Sequence, residues 1–88
     1  MDVFSVRPKN QPTVIRKKLG TKWGWWDDEL NLIEIDERLT GKKELIIYLH
    51  EYFHKLFPEV IEEEIIKRSE FVADFLWKNN YRKKELVK

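Results

Sequence analysis

Two histidines stand four residues apart in this sequence, with a glutamate directly after the first: His50, Glu51 and His54 in "LHEYFHKLFPE". On a helix, positions i and i+4 lie one turn apart on one face, so both imidazoles can reach a single cation. Zinc takes such nitrogens at about 2.0–2.1 Å. Glu51 lies about 100° further round the helix, an awkward place for a ligand but a good one for a base. From the border of the same cleft it can take a proton from a metal-bound water, which the ion acidifies to near neutrality. This is the chemistry that an H-E-x-x-H spacing serves. The ordinary reading is a pair of half-exposed histidines flanking a core stripe. With two histidines among 88 residues, chance produces the spacing in roughly three sequences per thousand.

A catalytic zinc site needs a third protein ligand and an open position. The chain has no third histidine and no cysteine, so that ligand must be a carboxylate. Beyond Pro58 the sequence offers Glu62, Glu63, Glu64, Glu70 and Asp74. If residues 57–60 make a tight turn, two antiparallel helices result, and at 1.5 Å rise per residue positions 50–54 face roughly 62–68. Glu62 points along the inward stripe marked by Ile65 and Ser69, where a carboxylate is costly unless paired or bound to a cation. It is the preferred ligand, with Glu70 second and Glu63 third. The competing explanation of "EEE" at 62–64 is helix-start chemistry, in which acids meet the positive end of the dipole.

The elements that must position these residues can be read from periodicity. Thr40 is an N-cap candidate, and apolar residues at 45, 46, 49, 53, 56 and 57 predict a motif helix over 41–57, ended by Pro58. Leu45, Leu49, Phe53 and Leu56 centre its buried face, His50 and His54 border it, and Glu51 and Lys55 lie further toward solvent. A second helix over 60–78 puts Ile61, Ile65, Val72 and Leu76 inside, with Asn79 and Asn80 as stop residues. Upstream, residues 1–12 with Pro8 and Pro12 read as an irregular arm, and 13–36 as a β region. Its strands are 13–19, ended by Gly20, and a hairpin of 23–26 and 30–35 turning at Asp27-Asp28-Glu29. Leu32, Ile33 and Ile35 do not alternate, so the last strand carries a bulge or is covered on both faces. Residues 79–88 form a charged tail. The fold expected is α+β: a two- or three-stranded antiparallel sheet packed on a helical hairpin, in one domain spanning 1–88.

Composition narrows the classes. An apolar fraction of 42% with twelve aromatics supplies one core and argues against disorder. A formal net charge of +1 makes no case for nucleic acid, and "RKK" at 16–18 and "KNNYRKK" read as solvated surface. No apolar run approaches the roughly 20 residues that span a bilayer. "MDVFSVRPKNQP" lacks the marks of a secretory signal, so the expectation is a soluble, cytoplasmic protein with no membrane partner.

The motif and its surroundings resemble the zincin superfamily of metallopeptidases, and more closely the small H-E-x-x-H proteins encoded by phages and prophages. The resemblance covers residues 23–77 and includes "WGWWDD", "IEIDERLTGKKEL", "HEYFHKLFPE", the acidic start of the second helix and "FLW" near its end. It implies a minimal zincin-like hydrolase with Zn2+ as cofactor, His50 and His54 as ligands, Glu51 as general base, and a peptide or protein as substrate. "EFVAD", Glu70 to Asp74, matches an E-x-x-x-D spacing of thermolysin-like enzymes, in which the aspartate orients a metal-bound histidine; a surface acidic pair is its ordinary explanation. Residue 57 is Phe and residue 60 is Val, so the metzincin continuation is absent. A strand such as 30–35 could pair with substrate along its edge, with Trp23, Trp25 and Trp26 as a recognition wall. The alternative reading is a non-catalytic interaction or structural protein on the same frame, with a host or virion protein as partner.

Overall fold

The computed structural model describes residues 10–83. The proposed arm, apart from residues 10–12, and the end of the tail lie outside that range. Three strands, β1 (Thr13–Lys17), β2 (Gly24–Asp27) and β3 (Leu32–Asp36), precede two helices, α1 (Gly41–Leu56) and α2 (Glu62–Lys78). This is the expected α+β arrangement. Strand order is β1-β3-β2.

The sheet is mixed, which corrects the antiparallel expectation. β2 and β3 form the hairpin and pair antiparallel, Trp25 opposite Glu34 and Trp26 opposite Ile33. β1 instead pairs parallel with β3, from Thr13 opposite Leu32 to Lys17 opposite Asp36. The reason lies in the connection: residues 18–23 cross the end of the sheet, a step of two strand spacings or about 9.5 Å. β2 therefore lands in the far position, and β3 returns between the two. Asp36 secures that crossing. Its buried carboxylate accepts the Leu19 N–H at 3.1 Å and the Arg38 N–H at 2.9 Å, and the Arg38 guanidinium closes on it at 2.8 and 2.9 Å.

The hairpin turn is also displaced from its expected place. Asp27 ends β2, and its Oδ1 accepts the N–H groups of Glu29 and Leu30 at 3.0 and 3.1 Å. Asn31 then takes a left-handed φ of 50°, which an asparagine tolerates. The register of β3 runs without a bulge, and its burial alternates, with Ile33 and Ile35 buried and Leu32 and Glu34 half-buried.

Ile33, Ile35 and Leu39 form the core on one face of the sheet, with Trp26, Ile47, Tyr48 and Tyr52 packed against them. α1 lies between this face and α2. That double cover overturns part of the helix projection. Leu56 is 46% exposed, whereas Glu44 and Glu51 are the buried residues of α1. On α2 the covered residues are Ile65, Ser69 and Ala73, the last two small enough for close helix approach, and Ile61 is exposed. The helices run antiparallel, with Glu62 beside His50 at one end and Lys42 Nζ 2.9 Å from Asp74 at the other. Among the described residues, no helix is long and apolar enough to cross a membrane.

Candidate metal centre

α1 presents His50 and His54 from consecutive turns with their Nε2 atoms 3.1 Å apart and their rings at 72°. The chain turns through Phe57 to Ile61, held by the Val60 N–H bond to the Phe57 carbonyl at 3.1 Å. It re-enters helix at Glu62, whose position in the first turn follows from that short connection. Glu62 Oε1 lies 2.7 Å from His50 Nε2, and its Oε2 lies 3.1 Å from His54 Nε2. Among the described residues these three form a group of ligand atoms within 4.8 Å of one another. The other carboxylates considered do not join it. Glu64 faces Lys67 and Arg68, Glu70 borders a different groove with Lys42 and Asp74, and Asp74 is held by Lys42 and Lys78 rather than turned toward a histidine. Glu62 itself is 57% exposed, not on the buried stripe expected for it, because Ile65, Ser69 and Ala73 alone fill that stripe and Glu62 reaches the histidines from the helix start.

Glu51 departs most from expectation. It is only 8% exposed, because β2 covers the side of α1 that the projection assigned to solvent. Contact there is close: a Cβ built on Gly24 would fall 2.7 Å from Ile47 Cγ2 and 2.9 Å from Glu51 Oε2. Only glycine lets the strand backbone settle on the helix at this point. Burial, aided by the neighbouring Glu62 carboxylate, pushes the Glu51 carboxyl up to about 7. Burial also lowers the affinity of His50 for a proton, with Glu62 opposing that effect and His54 adding to it. The neutral imidazole that a metal requires is thereby favoured.

The four residues share a polar cleft of about 490 Å3 with Lys22, Gly24, Trp25 and Trp26. Trp25 and Trp26 thus stand at the site. Trp23 does not line the cleft; its ring carries Lys43 Nζ at 3.9 Å instead. Sequence reasoning passed over two cleft residues. Gly24 had a readable signal, since a glycine inside a strand marks close backbone approach. Lys22, whose Nζ lies 3.8 Å from the Trp25 ring centre, had none.

Comparison with protein-family models and with curated protein sequences finds no match to this chain.

Proposed function

We propose that this protein is a zinc-dependent hydrolase of the peptidase type, holding the ion with His50, His54 and Glu62 and using Glu51 as general base. One observation carries the reading: three ligand atoms from two helices converge beside a buried carboxylate in one cleft.

The donor set fits the ion. Two nitrogens bound tetrahedrally at 2.0–2.1 Å stand about 3.3 Å apart, and the imidazole nitrogens here are 3.1 Å apart. Two imidazoles and one carboxylate also match a catalytic type of zinc site, which leaves the fourth position open. When bound, zinc supplies Lewis-acid polarisation of a carbonyl and acidifies water.

The remaining work falls to the chain itself. Glu51, buried beside the three ligands in the same cleft, is placed to accept a proton on its carboxylate and return it to a leaving amine. Gly24 and Ile47, packed against Glu51, limit the directions its carboxylate can take. The substrate strand is not 30–35, because β3 has both edges occupied. β2 takes that role: it is an edge strand, it lines the cleft, and its outer backbone groups can pair with an extended peptide. Trp25 and Trp26 flank that path.

The test is elemental analysis of protein purified without added metal, followed by assay of a peptide mixture. One zinc per chain is expected. Glu51→Gln should keep the zinc and lose cleavage by roughly 10²–10⁴-fold, the usual worth of a general base. Unchanged cleavage in that variant removes Glu51 as the base, and a folded protein that takes up no zinc overturns the reading.

A further inference from the structure

A second feature stands apart from the polar cleft. The C-terminal turns of α1 and the middle of α2 enclose a groove of about 440 Å3 lined by Phe53, Leu56, Phe57, Phe71, Val72 and the basic residues Lys67 and Arg68. None of these residues lines the polar cleft. Phe71 is 81% exposed, and Phe75, one turn further along α2, is 64% exposed. α2 already buries Ile65, Ser69 and Ala73 on its inner side. Its outer side thus displays two largely exposed phenylalanines, of which Phe71 shares the groove with Leu56 from α1. Grouped exposed apolar side chains with a polar border are the kind of surface through which proteins associate.

Charge selects the occupant. Both charged residues lining the groove are cations. Their contacts to Glu64 are loose, 3.9 Å from Lys67 Nζ and 3.8 Å from Arg68 Nε, beyond hydrogen-bond range. Arg68 lies with its guanidinium carbon 5.7 Å from the Phe57 ring centre, so its charge sits over the apolar floor. One Glu64 carboxylate thus stands loosely against two cations, and the rim keeps a net positive charge for an incoming acceptor. A segment with large apolar side chains and flanking carboxylates satisfies floor and rim together. A basic segment of the same shape meets two like charges.

We propose that this groove docks an acidic amphipathic segment of a partner protein, whose apolar side chains seat against Phe53, Phe57 and Phe71 and whose carboxylates meet Lys67 and Arg68. This surface is independent of the metal centre.

The probes are two synthetic amphipathic helical peptides with the same leucine stripe at i, i+3, i+4 and i+7, one carrying glutamates and the other lysines at the flanking positions. Binding is followed by amide chemical shifts in the full chain, and self-association by sedimentation. The acidic peptide should bind about tenfold more tightly than its basic twin, as two modest ion pairs against two repulsions allow. Shifts should centre on residues 53–57 and 67–72. Phe71→Ser, at a position too exposed to affect folding, should weaken the acidic peptide by roughly tenfold or more. The double change Lys67→Glu with Arg68→Glu should reverse the order of the two peptides. Equal binding of the twins, shifts centred elsewhere, or no binding overturns the proposal. So does concentration-dependent dimerisation that Phe71→Ser abolishes, which would make a second copy the occupant.

Discussion

At Gly24 the space between strand and helix is smaller than a methyl group. Glu51 Oε2 could swing from an added Cβ, but Ile47 Cγ2 belongs to a β-branched side chain with little rotamer freedom, so β2 or α1 must shift. Gly24→Ala should cost about 1–3 kcal/mol of stability, the usual penalty of overpacking, read by urea unfolding. It should also reduce any cleavage through displacement of Glu51. Zinc affinity should stay within a few-fold, because the atoms nearest the added Cβ belong to Ile47 and Glu51 rather than to the proposed ligands. Loss of zinc affinity equal to the loss of cleavage would refute this separation. The same contact explains which part of the site was legible from sequence. The pairing of His50 with His54 is local helix geometry, and the level of Glu62 follows from a short turn. Burial of Glu51 depends on a strand some 25 residues upstream, and no projection of α1 alone contains that information.

Asp36 shows how one side chain organises an element. Its carboxylate ties the β1–β2 crossing to the end of β3, and the Arg38 side chain and N–H hold its proton affinity well below the ordinary carboxylate range. A carboxyl depressed in the folded state contributes stability that is present above its unfolded value, near 3.9, and is lost as pH falls toward its folded one. The stability advantage of wild type over Asp36→Asn should therefore be constant above about pH 5 and shrink progressively below about pH 4. Urea unfolding from pH 6 to pH 2 measures it. An advantage independent of pH would mean that shape, not charge, secures the crossing. The hairpin could be read from its turn residues, but the parallel seat of β1 could not. Nothing in "TVIRK" says which edge it will join. That choice is made by partners far along the chain, Asp36 for Leu19, and Glu44 with the carbonyls of Glu37 and Leu39 for Arg16.

For the molecule as a whole, the proposed metal centre would also act as a fastener. Its ligands come from the last turns of α1 and the first turn of α2, so an ion held by all three binds only when the helical hairpin is closed. A chain this short buries only about two-thirds of its unfolded surface and has a thin stability margin. Ligand binding to the folded state alone adds about 2.7 kcal/mol at a free concentration one hundred times Kd, and in a domain of this size each kcal/mol moves Tm by about 4–8 °C. Zinc at that excess should thus raise Tm by roughly 10–20 °C, and a chelator should reverse the rise. Residual binding of the unfolded H-E-x-x-H segment pulls the figure toward its lower end, since that segment carries two of the three ligands. Glu62→Gln separates the two contributions. It leaves the α1 pair intact, so the unfolded chain binds as before, and it removes the ligand that spans the helices. If the ion bridges α1 and α2, the zinc-dependent rise should fall by more than half in Glu62→Gln and vanish in His54→Ala. A rise that survives Glu62→Gln undiminished would confine the metal to α1 and leave the hairpin fastened by its apolar contacts alone.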